Sequence, residues 1–333
     1  MPRDAVRLQV VDATGVASAR VRDLPAFLRR GDLLVANRSA LRPAAVHARI
    51  DDPPPGVQER MLVHLAHRYG PGAWLAELRV DEANPGPLPL PIGTRLRMGE
   101  AEDAAPLDAP LDAPVDATVL APYPGLPRLR FLRTDGEPTA TAPVRYGHVR
   151  GRPPLQAYAT IFGDRPGSAE MASAGRPFTA SLLQALRTRG VQLVRITLHA
   201  GVSSLDAPAD DARLIVPAEA FEVDAATAGT VNDALGEGRR VVAIGTGAVR
   251  ALESAWDGHA VRPVRGWTRR VLTPGRSGRF LSGLITGLHG PEASHLRLLL
   301  AMLGTERVQQ AYRAAAEADL AAHEFGDLQL IWR

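Results

Sequence analysis

Two spacings of apolar residues alternate along the chain. Short continuous runs occur in Arg7–Asp12 (RLQVVD), Asp32–Ala36 (DLLVA), Val191–Leu198, Val241–Ile244 and Leu284–Leu288. Such runs suit strands of a parallel sheet that are covered on both faces. Between residues 57 and 142 the period becomes two. Met61–Arg68 and Trp74–Val80 alternate about the turn Tyr69-Gly70-Pro71-Gly72, and Thr94–Met98 and Arg128–Leu132 look like further strands. Alternation with tight turns predicts an antiparallel sheet. Helical spacing is expected over Leu24–Leu28, ended by Gly31, and over Ser181–Arg189, Ala225–Leu235, the stretch after Gly247, Ser294–Leu303 and Glu306–Ala322.

These elements predict an α/β chain with a barrel-like α/β body, residues 1–50 and 143–333. A small all-β domain of antiparallel barrel type is inserted at 57–142. The boundary is Asp51–Gly56 (DDPPPG), where three prolines can continue neither a helix nor an inner strand. Within the insert, residues 101–125 are expected to be a mobile Ala/Pro/Asp-rich loop, because the near-repeat Ala105–Ala117 cannot bury a core.

Composition narrows the chemistry. The 333 residues contain no cysteine, which excludes disulfides, thiolate nucleophiles and cysteine-held metals. All 39 basic side chains are arginine, so a Walker A lysine and any lysine Schiff base are excluded. A net charge of +3 permits nucleic-acid binding without arguing for it. No apolar run reaches the ~18 residues of a membrane span, and Arg3, Asp4 and Arg7 interrupt any signal-peptide pattern. The expectation is a cytoplasmic protein with no membrane partner, and a monomer.

Four stretches carry candidate chemistry. Arg240–Ser254 reads as strand, glycine turn (Gly245, Thr246, Gly247) and helix start. Its free N–H groups suit an anionic group, and Arg250 and Glu253 share a helix face. A dinucleotide fingerprint would need a third glycine where Arg250 stands, and a plain strand-to-helix turn is an equal alternative. Thr197–Ser204 ends a strand in His199, Gly201 and two hydroxyls, of which Ser203 is one. His199 there is either a ligand-facing group or a packed ring satisfied by backbone. Gly287–Ser294 places His289 three residues before Glu292, a possible acid–base pair. A plain helix cap by Ser294 is the alternative. Gly167–Thr179 is a loop of small residues that could wrap a flat ligand. Glu219 and Asp327 are further acids near turns, and Asn37 follows the second apolar strand. His64 and His67 fall on opposite faces of a strand, which argues against a metal site.

In their order these stretches resemble the S-adenosylmethionine:tRNA ribosyltransferase-isomerase (QueA) family. The matching segments are GDLLVAN from Gly31, YATIFGDRPGSAEMASAGRPFT from Tyr158, TLHAGVSSL from Thr197, VVAIGTGAVRALES from Val241, LITGLHGPEAS from Leu284 and EFGDLQLI from Glu324. The resemblance implies the barrel-like body with an all-β domain. It also implies transfer and isomerisation of the ribosyl part of S-adenosylmethionine, a co-substrate, onto a 7-aminomethyl-7-deazaguanine in tRNA, with adenine and methionine leaving. No metal is implied.

Laid on those segments, His199, His289 and Glu292 are the catalytic candidates. Asn37, Ser173, Gly175, Thr197, Gly201, Ser203, Glu219, Gly245, Thr246, Gly247, Arg250 and Asp327 are the candidates for holding S-adenosylmethionine. The chain departs from the family pattern at Ala40, Ala45, Pro177, Pro217, Ala218, Ser282 and Gly287. Loss of arginines at Ala40 and Ala45 predicts weak tRNA binding or none. A small-molecule acceptor or a catalytically inactive paralogue are the alternatives these departures leave open.

Overall fold

The computed structural model describes residues 2–80, 88–99, 114–144, 146, 149, 153–202, 215–272, 280–290, 294–322 and 325–333. A nine-stranded mixed sheet forms the body. Its order is Val264–Thr268, Glu219–Val223, Gln192–Leu198, Leu33–Asn37, Val241–Ile244, Gly283–Gly287, Leu328–Trp332, Arg7–Asp12 and Gly15–Arg20. The four central strands, from Gln192–Leu198 to Gly283–Gly287, run parallel, with Val35 level with both Val194 and Ala243. They are the continuous apolar runs, and both faces are covered. Val35, Ala243 and Leu284 pack under the helices Ala225–Gly236, Thr246–Ala255, Ser294–Leu303 and Thr305–Glu317. Leu34, Ala36, Val242 and Ile285 pack under Ala180–Thr188 and the 3₁₀ turn Val21–Phe27.

Local chemistry starts these helices where it should. Asp224 accepts from Thr227 N at 2.7 Å and Thr179 from Leu182 N at 3.2 Å, each satisfying an orphan amide of the first turn. The stretch expected as a helix from Leu24 is a 3₁₀ turn containing Pro25. Among the described residues, no helix is long and apolar enough to cross a membrane.

The insert is a closed antiparallel barrel of six strands. In order around the wall they are Leu126–Thr134, Ala73–Arg79, Arg60–Gly70, Ala45–Ile50, Arg95–Met98 and Val115–Tyr123. Its core includes Val46, Ile50, Val63, Leu65, Leu78 and Leu132. Two expectations change here. Ala45–Ile50, assigned to the body, is a barrel strand that pairs with Arg60–Gly70 and Arg95–Met98. Residues 115–123, assigned to a loop, form the strand that closes the barrel between Arg95–Met98 and Leu126–Thr134. A closed wall needs that pairing, because an unpaired edge would leave two rows of backbone groups unsatisfied. The rest of the Ala/Pro/Asp repeat, 101–113, lies outside the described residues.

Body and barrel meet beside the parallel strand ends. Ser39–Leu41 pairs in parallel with Arg165–Ser168 just beyond the end of Leu33–Asn37. From there the chain enters the barrel.

Candidate active site

The four parallel strands end side by side, in the order His199, Asn37, Gly245 and His289 as the residues that follow or close them. Ligands of open α/β sheets bind at such carboxyl ends. Three inter-strand steps at ~4.8 Å separate the outer two, roughly 14 Å at strand level. Gly245 makes the turn with φ +84°, a conformation that a side chain would strain, and its N–H donates to Ile285 O at 2.8 Å. Thr246 and Gly247 then open the helix Thr246–Ala255. The loop of small residues lies directly above this turn. Ser173–Gly175 forms one 3₁₀ turn, and its Ala174 approaches Gly245. Gly175 is buried against the ring of Phe162.

His199 stands on a chain of hydroxyls. Its Nδ1 is 2.7 Å from Ser39 Oγ, which is 2.6 Å from Ser168 Oγ, and Ser168 Oγ accepts from Ala200 N at 3.0 Å. Burial pushes the imidazole pKa down, and the positive charges of Arg42 and Arg265 push it further, against the pull of Glu222. These effects favour the neutral ring over the imidazolium. Asn37 holds the corner in shape. Its Nδ2 donates to Leu198 O at 2.8 Å, and its Oδ1 accepts from Leu198 N and Ser39 N, both at 3.0 Å. Both ends of that amide are thus engaged within the chain. Thr197 is buried one residue before this clamp.

Glu219 is the hub of the charged groups. It is fully buried at the start of Glu219–Val223. One oxygen accepts from Gly201 N at 3.1 Å, and the other pairs with Arg250 Nη1. Arg250 also donates from Nε to Arg270 O at 3.1 Å. Its Nη2 is buried with no partner among the described residues. Arg270 in turn approaches buried Glu253 at 3.5 Å. The barrel reaches the same hub through His67 and Tyr69. Tyr69 donates its hydroxyl to Ala218 O at 2.9 Å. His67 is buried, and burial drives its pKa down to about 4 despite the opposing charge of Glu219.

At the far strand end, His289 Nε2 is 3.0 Å from Thr286 Oγ1, and its backbone N–H donates to Tyr312 Oη at 3.0 Å. Its ring stacks on His295 at 4.5 Å between centroids. His295 is pushed down to about 4 by burial and then by Arg250, with Glu219 opposing. So His295 and His67 share the field of one Glu219–Arg250 pair.

Two of the sequence-derived candidates, Ser203 and Glu292, lie outside the described residues. Asp327 is engaged within the chain. Its oxygens accept from Arg7 N at 3.0 Å, Arg7 Nε at 2.9 Å and Ala321 N at 2.8 Å, which ties the first strand to the last turn before Leu328–Trp332. His64 and His67 occupy different surroundings. His64 faces Glu77 at 3.7 Å on the outer side of the barrel wall, while a register shift between Leu65 and His67 turns His67 to Gly201. Sequence reasoning missed Ser39, Ser168, His67, Tyr69 and His295. They join the site through contacts between distant segments.

Comparison with known proteins places this geometry. The family model described as "Queuosine biosynthesis protein" matches residues 1–331. A Thermus thermophilus protein named S-adenosylmethionine:tRNA ribosyltransferase-isomerase is 38% identical, over 99% of this chain and 93% of its own. A Deinococcus radiodurans protein of the same name is 35% identical, over 100% and 90%. A crystal structure of S-adenosylmethionine tRNA ribosyltransferase from Thermotoga maritima superposes with a TM-score of 0.51 at 25% identity, covering 99% of this chain and 93% of that one.

Proposed function

The chain belongs to the queuosine biosynthesis protein family, and from that premise we propose that it is an S-adenosylmethionine:tRNA ribosyltransferase-isomerase. The observation that carries the reading is the Glu219–Arg250 hub, set between histidines at the ends of four parallel strands. The donor set suits S-adenosylmethionine. Arg250 keeps a buried Nη2 free for an anionic group, and the Gly245 turn opens a helix N-terminus beside it. The carboxylates of Glu219 and Glu253 supply negative charge near a sulfonium.

The sulfonium acidifies its neighbouring ribose CH₂, so the reaction can begin by proton removal. His199 is suited to take that proton because its surroundings favour the neutral ring. For Nε2 to be the accepting atom, Nδ1–H must donate to Ser39 Oγ, and Ser39 must donate to Ser168. Ser168 can accept that bond as well as the one from Ala200 N. His289, held by Thr286 at the opposite end, is the second acid–base group. Asn37 positions His199 by clamping its corner. The fold has no lysine or cysteine to offer as a covalent nucleophile.

The test is incubation of the protein with S-adenosylmethionine, with and without bulk tRNA, following adenine and methionine. Release of both that depends on tRNA is the expected result. Release without tRNA would replace the acceptor by a small molecule or water, and no release in either arm would remove the activity.

A further inference from the structure

The largest exposed aromatic of the described residues is Trp267, at 48% exposure on the edge strand Val264–Thr268. It is not loose. Its ring lies 4.8 Å from that of Tyr69 and 6.4 Å, edge-on, from that of His67, both on the barrel strand that reaches the Glu219 hub. The strand end is pinned as well. Buried Thr268 shares a 2.6 Å hydroxyl contact with Ser254 and accepts from Arg270 N at 2.9 Å.

Alternation on this strand turns Arg265 and Trp267 to the same exposed face, and Arg269 follows, also exposed. The guanidinium of Arg269 lies 5.8 Å over the ring of Tyr123, on the barrel side of the cleft. Arg265 is near enough to His199 to depress its proton affinity. Glu222, level with Arg265 across the strand pair, is the acid on this face. An ordered aromatic ring flanked by cations, bordering the catalytic strand ends, has the composition of a single-strand nucleic-acid platform. Ala40 and Ala45 carry no charge, and this face supplies positive charge in another place.

We propose that the exposed face of Val264–Thr268, with Arg265 and Arg269 on either side of Trp267, docks the single-stranded loop of the RNA substrate and stacks one of its bases on Trp267. The proposal rests on the tRNA reading above, and commits to RNA rather than to another protein. Base stacking on an aromatic ring tolerates any base, so Trp267 would supply affinity, and the cations would bind flanking phosphates. Because Tyr69 and His67 already hold the ring, little side-chain freedom remains to be lost on binding.

The experiment is a titration of the full chain with an RNA hairpin whose loop contains guanine, followed by filter binding and by tryptophan emission. The expected results are quenching in the wild type, lost in Trp267→Phe, which keeps affinity within about threefold. Trp267→Ala weakens binding about 10- to 100-fold. Arg265→Ala and Arg269→Ala each lower the slope of log affinity against log salt by about one. Binding of S-adenosylmethionine and the melting temperature stay as in the wild type in Trp267→Ala, which separates docking from folding. Unchanged hairpin affinity in Trp267→Ala, unchanged salt slopes, or no hairpin binding by the wild type overturns the proposal. So does a Trp267-dependent dimer in sedimentation, since the edge strand would then pair with a second copy. Adenine release with bulk tRNA reports on the reaction itself, so docking and activity can fail separately.

Discussion

The ring of His67 lies against the Cα of Gly201, so close that a methyl group there would stand 2.1 Å from Nε2. This contact joins the inserted barrel to the corner that carries His199, and it leaves room for glycine alone. Gly201→Ala should therefore push the two domains apart locally and destabilise the protein by about 1–3 kcal/mol, the usual cost of overpacking. Combined with His67→Ala the penalty should shrink, because the colliding group is gone. Urea unfolding of the two single variants and the double variant measures this, and strictly additive effects would show that the contact is absent.

Glu219 is fully buried in an ion pair with the part-buried Arg250, so removing either leaves a charge without its partner. Glu219→Ala should cost about 3–5 kcal/mol of stability. It should also release Gly201 N–H, and with it the His199 corner. Chemical denaturation gives the first effect. Loss of S-adenosylmethionine binding by calorimetry, in a variant still folded at low temperature, gives the second. A change below about 1 kcal/mol would mean that the pair is solvated in solution.

Acid should weaken the fold through its buried histidines. His67 has a folded pKa of about 4 against 6.5 for the free side chain. Between those values the unfolded chain binds the additional proton, so stability falls as pH drops from about 6.5 towards 4. One such group contributes on the order of 3 kcal/mol across that window. Melting temperature against pH should flatten there in His67→Gln. An unchanged profile would assign the acid sensitivity to other groups, His295 first.

His289 and His199 should separate from their supports in kinetics. His289→Ala should lower the rate of adenine release by about 10² to 10⁴, with the melting temperature nearly intact. Ser39→Ala removes only the hydroxyl that orients His199. It should cost less rate than His199→Ala and shift the pH at which activity rises. Full turnover in His289→Ala would take that residue out of the site.

What the sequence determined by itself is what local spacing encodes. The continuous runs at Asp32–Ala36 and Val241–Ile244 can only be satisfied by burial on both faces, and they are the central parallel strands. Alternation about the turn Tyr69–Gly72 marks Met61–Arg68 and Trp74–Val80 as paired strands, and those segments are barrel wall with both faces largely buried. Gly245 announces its turn because a positive φ favours glycine. Tertiary structure decided the rest. Ala45–Ile50 could have belonged to either domain until pairing with Arg60–Gly70 placed it in the barrel. Asn37 and Asp327 are polar residues near strand ends, which in sequence looks the same for a ligand group and for a clamp. Only the positions of Leu198 and Arg7 in space show that both side chains are engaged within the chain. His67, Ser168, His199 and Glu219 are separated by tens to more than a hundred residues. Their convergence depends on how sheet and barrel pack, because hydrogen bonds and charge act through distance in space, which separation along the chain does not reveal.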